Sequence, residues 1–406
     1  MRSTHLIKLF LLLLVLGLPA RGAELSVADF DFNGALGSAG ARLEKIERNH
    51  FKVTLGAAPQ HADWSNKLQF KIKRHAKGNA LRLDVVFHGG DAYLFNEYFH
   101  SWSYDARNWR PVYWQLRSTS SQPGDTLVFP AFTQDVVYVA HQVPMSYEEM
   151  VQLIARWRKS PFVRVHEIGR SLGGKAIYRL IITDARRKGA ARFASPRWSH
   201  YFTNQHPGEH NAQWRMVGMI DWLLSDEGRN YRRAGICHFV LMMSPDSPAQ
   251  GWYRVGAQGV DMNRSYRAAG SDRSAQAHEA YLCQKDLEQL MASEAPLTTV
   301  WSMHTWPGIV EPIGVPGPEV GVRVGQLAEL REAIRRHDHR QLIKPLALRK
   351  ESPAGDTTWS DGPHAQFGIT AFLCEGGGDI YTKDDNLYTG TVLMKSIADY
   401  YRGSDK

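Results

Sequence analysis

Near residue 146 the chain changes its hydrophobic period, and no other feature constrains the fold as much. From about residue 24 to 140, apolar and polar residues alternate in "HFKVTL", "LQFKIKR" and "LRLDVVF", with Gly- or Asn-containing turns between them. "DTLVFPAF" and "DVVYVAHQV" continue the pattern. A period of two belongs to half-buried strands, and several short strands without a helix between them predict an antiparallel β-sandwich. Beyond residue 146 strands and helices take turns. "SYEEMVQLIARWRKS" begins with Ser146 as N-cap and Glu149 three residues on, the sign of a helix start. Strand "AIYRLIITD", helix "AQWRMVGMIDWLLSD" and strand "CHFVLMMS" follow, then helix "AQAHEAYLCQKDLEQLMAS" and strand "LTTVWSMH". A helix around "VGQLAELREAIRRH", strand "ITAFLCE" and helix "YTGTVLMKSIADYYR" complete the series. This alternation predicts an α/β unit with helices on both faces of a central sheet. The expected division is 24–144 for the sandwich and 145–406 for the α/β domain, packed together without a flexible linker.

Residues 1–23 stand apart. Arg2 and Lys8 precede or flank an apolar run from Leu9 to Leu18, and Pro19, Ala20, Gly22 and Ala23 follow. That order is expected of a secretory signal peptide, the alternative being an uncleaved anchor. Export to the periplasm or exterior is therefore the expectation. No later segment reaches about 18 consecutive apolar residues, so no membrane insertion is expected once the signal is removed. Cys237, Cys283 and Cys374 are the only cysteines. They allow at most one bridge, and three buried, inert thiols are the expected arrangement. The formal charge of +8 suits an acidic partner such as a bacterial wall. The basic residues are scattered and not interleaved with aromatics, which argues against nucleic acid. Aromatics crowd "YLFNEYFHSWSYDARNW", a carbohydrate platform or, more commonly, core and interface fill.

One motif misleads. Gly169-Arg170-Ser171-Leu172-Gly173 fits the G-x-S-x-G pattern of serine hydrolases. That elbow needs a strand before it and a helix after it, whereas "KAIYRLIITD" reads as a strand. Ser171 is expected in a hairpin turn.

A different group of residues carries chemistry. "TNQHPGEHNAQW" places His206 and Glu209 three apart beside a Pro-Gly turn, after strand-like "HYFTN" and before a helix. His-x-x-Glu alone is a common accident. In open α/β sheets, however, ligands bind beyond the carboxyl ends of strands, and two histidines with a glutamate form a known catalytic zinc set. His304, ending "TTVWSMH", supplies a third ligand in that position. His278, His337, His339 and His364 fall in helices or loops that suit them less, and His210 should point away from whatever Glu209 binds. A zinc site needs a carboxylate to take a proton from water. Glu375 ends "ITAFLCE" before three glycines, which allow the close backbone approach of a crowded site. "GWYRVGAQGVDMNRS" gathers Arg254, Asn263 and Arg264, a setting for a carboxylate and for a carbonyl becoming an oxyanion.

Together, "HPGEHNAQWRMVGMIDWLL", "GWYRVGAQGVDMNRSY", "SMHTW" and "ITAFLCEGG" resemble, in order and context, the zinc metallocarboxypeptidases of the carboxypeptidase A type. The resemblance is nearest to the cytosolic-carboxypeptidase-like branch, which also carries a β-sandwich before its catalytic domain. It implies an α/β/α sandwich with a mixed central sheet. It implies one Zn2+ per chain on His206, Glu209 and His304, with Glu375 as general base and proton donor to the leaving amine. Arg254 would polarise the scissile carbonyl, Asn263 and Arg264 would hold the substrate's terminal carboxylate, and Asp261 would orient His206. Three departures stand out. The chain reads "SPDSPAQG" where the branch has Asn-Pro-Asp-Gly. No tyrosine lies between Tyr281 and Tyr381, where the family carries a mobile one, and Trp359 is a candidate replacement. A cytosolic-type body behind a signal peptide suggests an exported bacterial enzyme.

The expected function is removal of C-terminal residues from peptides. A murein-peptide amidase acting on peptidoglycan fragments uses the same centre and differs only in its pocket. A catalytically silent glycan- or peptide-binding module is the alternative from another class. The complete set of ligands and base argues against it. Asp361 and Lys350 are candidate specificity charges, expected at the surface.

Overall fold

The structure is a computed structural model that describes residues 23–86, 99–112, 117–119, 124–184, 198–305, 324–343, 357–375 and 382–403. Residues 1–22, Lys350 and part of the aromatic stretch lie outside those described. The alternating N-terminal segments form β1 (Phe30–Asp31), β2 (Arg42–Glu47), β3 (His50–Thr54), β4 (Ala57–Ala58), β5 (His61–Ser65) and β6 (Phe70–Ile72). They continue as β7 (Leu81–Val86), β8 (His100–Ser103), β9 (Arg110–Pro111), β10 (Arg117–Thr119), β11 (Gly124–Phe129) and β12 (Val137–His141). Among the described residues they form two five-stranded sheets, ordered β1-β6-β12-β8-β9 and β10-β11-β7-β3-β2, with β4 and β5 as a ribbon. Phe51, Val53, Leu83, Val85 and Leu127 of one sheet share a buried cluster with Phe70, Ile72, Val137 and Val139 of the other. Their intervening neighbours turn outward, as the pleat requires.

The antiparallel expectation needs one correction: β3 and β7 pair in parallel. After β3 the chain crosses to the other sheet for β6 and returns, and a strand that arrives after such a crossover runs in its neighbour's direction.

The second unit opens with α1 (Tyr147–Trp157), where Ser146 Oγ accepts from Glu149 N at 3.1 Å. Its central sheet comprises β13 (Val163–Arg170), β14 (Ala176–Ile182), β15 (Trp198–Thr203), β16 (Gly235–Val240), β17 (Thr299–Met303) and β18 (Thr370–Cys374). The order is β13-β14-β16-β15-β17-β18. The β13–β14 and β14–β16 pairs are antiparallel, and β16, β15, β17 and β18 run parallel. Ser171 sits in the β13–β14 hairpin turn, where its Oγ accepts from Lys175 N at 3.0 Å.

Both faces of the parallel strands are buried, so apolar residues and buried polar ones such as His200 and Ser302 alternate without an exposed face. Consecutive residues serve opposite faces. Phe202, Phe239, Trp301 and Phe372 join one cluster, while Tyr201, Val240, Val300 and Ala371 join another. On the first face the four aromatics are register partners, and Trp301 stacks on Phe372 with centroids 3.8 Å apart. That face is covered by α2 (His210–Leu224), α6 (Val324–His337) and α8 (Lys383–Gly403), and the opposite one by α5 (His278–Met291). The arrangement is an α/β/α sandwich with a mixed sheet. Short helices α3 (Arg229–Ala234), α4 (Ser247–Gln250) and α7 (Gly362–Phe367) lie in the connections. Cys237, Cys283 and Cys374 are buried, unbridged thiols. Among the described residues no helix is long and apolar enough to cross a membrane.

Candidate metal centre

The strand β15 has β16 on one side and β17 on the other, each reached by a separate connection. Chains leaving the carboxyl ends of such strands diverge and open a crevice. Every sequence-predicted site residue lies on a segment leaving one of these ends. His206 and Glu209 follow β15, the arginine loop follows β16, His304 follows β17, and Glu375 follows β18. Met303 pairs with Cys374, and His304 N donates to Cys374 O at 2.8 Å, so His304 and Glu375 emerge at the same level.

His206, Glu209 and His304 are buried and converge. His206 Nδ1 lies 2.8 Å from Glu209 Oε1, and His304 Nδ1 lies 2.8 Å from Glu209 Oε2. The two Nδ1 atoms are 3.1 Å apart. The outer ring nitrogens have separate partners. His206 Nε2 donates to Asp261 Oδ1 at 3.0 Å, and His304 Nε2 meets Ser302 Oγ at 2.9 Å, which in turn donates to Gln205 Oε1 at 2.8 Å. Asp261 accepts only, so the proton of a neutral His206 sits on Nε2 and its Nδ1 lone pair faces the centre. Two imidazole lone pairs and a carboxylate directed at one buried point fit a divalent metal of the zinc type.

Asp261 caps the short turn Met262–Arg264, accepting from Asn263 N at 2.8 Å, and its Oδ2 accepts from Arg254 Nε at 2.5 Å. One carboxylate thus ties His206 to Arg254. Asn263 is buried, and its Oδ1 accepts from Trp359 N at 2.9 Å, which fixes the side-chain amide. Arg264 is exposed at the rim, and its Nη1 donates to Asn263 O at 2.9 Å. Trp359 is fully buried, edge-on to Tyr266. It packs against the segment carrying Asn263, and its full burial does not suit a mobile group. Asp361 also departs from expectation: it is buried and accepts from Thr358 Oγ1 at 2.8 Å.

Glu375 is partly exposed as a residue, yet its Oε2 is buried and has no hydrogen-bond partner. Burial and then the neighbouring Glu209 carboxylate push its carboxyl up to about 8, against His206, Arg215 and Arg254. Burial also works to raise Glu209, but His206 and His304 outweigh it and hold that carboxyl well below the usual range. Two carboxyls in one pocket are therefore driven apart in acidity, a pattern of acid–base sites.

Several contributors had little sequence signal. Thr305 N donates to Glu209 Oε2 at 3.0 Å, and Tyr253 OH donates to Glu209 Oε1 at 3.4 Å. Arg215, buried on α2, donates to the carbonyl oxygens of His304 and of Glu375, the latter at 3.0 Å. Ser302 was missed as well, although its position two residues before His304 at a strand end could have flagged it. His210 is buried, with Nδ1 3.2 Å from Gln213 Oε1, and takes no place among the ligand atoms.

An α/β/α sandwich carries a buried His–Glu–His group at the strand switch that could hold a metal ion. No protein-family model matches the chain. Cytosolic carboxypeptidase 2 of Danio rerio is 34% identical over 149 residues, 35% of this chain and 20% of that protein. An uncharacterised protein of Zymomonas mobilis is 26% identical over 241 residues, covering 58% of this chain and 59% of its own length. The chain thus spans only part of the curated relatives it matches. A metallo-carboxypeptidase structure from Burkholderia cenocepacia has a TM-score of 0.75 at 17% identity, covering 92% of this chain and 99% of that one. A metallo-carboxypeptidase from Pseudomonas aeruginosa, complexed with (2-guanidinoethylmercapto)succinic acid, has a TM-score of 0.72 at 18% identity, covering 92% and 100%. At such identities the structural likeness speaks for the fold. The chain is related to the carboxypeptidase A-like metallocarboxypeptidases, with sequence relatives in the cytosolic carboxypeptidase branch.

Proposed function

We propose that the chain is an exported zinc metallocarboxypeptidase that hydrolyses the C-terminal peptide bond of peptides. The observation that carries this reading is the convergence of His206, Glu209 and His304 with the buried Glu375 carboxyl beside them. Zinc held by these three residues would supply a Lewis acid and lower the pKa of water towards about 7. Glu375 takes a proton from the attacking water and returns it to the leaving amine, a role suited to a carboxyl whose acidity lies near neutrality. Arg254, aligned by Asp261, donates to the scissile carbonyl oxygen as negative charge develops there. Asn263 and Arg264 receive the substrate's terminal carboxylate: the fixed amide offers Nδ2, and the guanidinium at the rim offers a two-pronged donor. Export rests on the order of charge, apolar run and small residues in positions 1–23.

The test is digestion of a mixed library of peptides and murein fragments, read by mass spectrometry with and without chelator. Chelator-sensitive loss of C-terminal residues supports the proposal. Cleavage confined to wall fragments would make the protein a murein-peptide amidase. A protein that binds fragments, holds no metal and cuts nothing would be a silent binding module.

A further inference from the structure

The loop carrying Arg254 is held from two sides, and one of them is the N-terminal sandwich. Gly37 N donates to Pro248 O at 3.1 Å, Ala39 N to Gln250 O at 2.9 Å, and Lys67 N to Gly251 O at 2.7 Å. His61 Nε2 donates to Gly259 O at 2.7 Å. The approach is close enough to require glycine on both segments. A Cβ on Gly37 would overlap the Ala249 carbonyl oxygen, and one on Gly251 would stand 2.8 Å from Gly37 O. Gly251 also has φ +76°, a left-handed conformation that glycine adopts without strain. The "SPDSPAQG" start of this loop is thus shaped by the sandwich and not by the α/β domain alone.

From the same side comes Lys67, a residue only 3% exposed. Its Nζ stands 4.3 Å from the centre of the Tyr253 ring. Tyr253 is buried and fastened at both ends to the turn that carries the ligands. Its carbonyl accepts from Gly208 N at 2.9 Å, and its hydroxyl donates to Glu209 Oε1 at 3.4 Å. Tyr253 precedes Arg254 directly, so whatever fixes its ring also fixes the main chain that aims Arg254. A desolvated ammonium over a tyrosine face is a strong contact of its kind.

We propose that Lys67 is a positioning residue for the metal centre: from the sandwich it holds Tyr253 against Glu209 and so sets the carboxylate's orientation. The inference rests on the metal-centre reading above, but its test does not depend on peptidase activity. Zinc affinity is measured by chelator competition for the wild type, Lys67→Met, Lys67→Arg, Tyr253→Phe and the double variant Lys67→Met/Tyr253→Phe. Lys67→Met and Tyr253→Phe each weaken zinc binding about tenfold, as loss of a residue supporting a ligand does. The double variant binds no more weakly than Tyr253→Phe alone, because both substitutions remove one coupled contact. Lys67→Arg, which keeps the cation, stays near the wild type, and the metal-free forms melt at similar temperatures. Unchanged zinc affinity in Lys67→Met, or losses that simply add in the double variant, would overturn the role of Lys67 alone. A wild-type protein that takes up no zinc would overturn the metal-centre reading with it.

Discussion

Asp261 touches His206 through one carboxylate oxygen, 3.0 Å from Nε2, and Arg254 through the other, 2.5 Å from Nε. A single side chain therefore sets the tautomer of a candidate metal ligand and the aim of an arginine. Asp261→Ala should weaken zinc binding about 10- to 100-fold, the usual loss when a ligand's outer partner is removed. Chelator competition measures it, and an affinity equal to that of the wild type would deny the pairing any functional weight.

Glu375→Gln keeps the shape of the side chain and removes its ability to accept a proton. Zinc content should stay at the wild-type level while kcat falls about 10²- to 10⁴-fold, the contribution of a positioned general base. Unchanged turnover would remove the base assignment.

Helices α2 and α8 cross where Gly218 and Gly390 let the backbones meet. A Cβ on Gly390 would overlap the Arg215 carbonyl oxygen, and one on Gly218 would overlap that of Leu387. Alanine ordinarily favours a helix over glycine by about 1 kcal/mol, yet here overpacking should dominate at about 1–3 kcal/mol. Gly390→Ala should therefore lower the urea midpoint. A raised midpoint would mean the helices separate without cost.

Acid should destabilise the fold through buried histidines outside the metal centre. Burial lowers His200 from 6.5 to about 3, and burial followed by Arg179 and His200 lowers His238 well below its ordinary value. Both stay neutral when folded but take up protons when unfolded below about pH 6.5. The His200 contribution is fully present above that pH and is lost as pH falls towards 3, at about 1.4 kcal/mol per pH unit, and His238 acts in the same direction. Urea unfolding of the metal-free protein at pH 7, 5.5 and 4.5 should show this slope, and His200→Gln should flatten it. An identical slope in that variant would exclude His200 as a source.

Much of this was legible because the residues concerned obey local rules. The alternation in "LRLDVVF" and the strand–helix series after Ser146 gave strands and helices where they occur, since burial on one face or two imposes those periods. His206, Glu209 and His304 could be singled out as candidates because they stand at strand ends, and the structure brings them together. The edge strand β13 was not legible, as "VRVHEIGR" has one fully buried residue and carries no apolar run. So did the parallel β3–β7 pair, because direction follows from a crossover and not from any residue in either strand. Trp359 and Asp361 misled for the same reason: only packing reveals that both are buried. Lys67 and Arg215 make their contacts across long sequence separations, where spacing gives no sign.

The most direct measurement compares two peptides that differ only in a free or an amidated C-terminus, each incubated with the zinc-loaded protein and followed by mass spectrometry. A centre that recognises a terminal carboxylate through Asn263 and Arg264 should trim the free peptide and leave the amidated one intact. Equal cleavage of both peptides, or cleavage within the chain, would contradict the account.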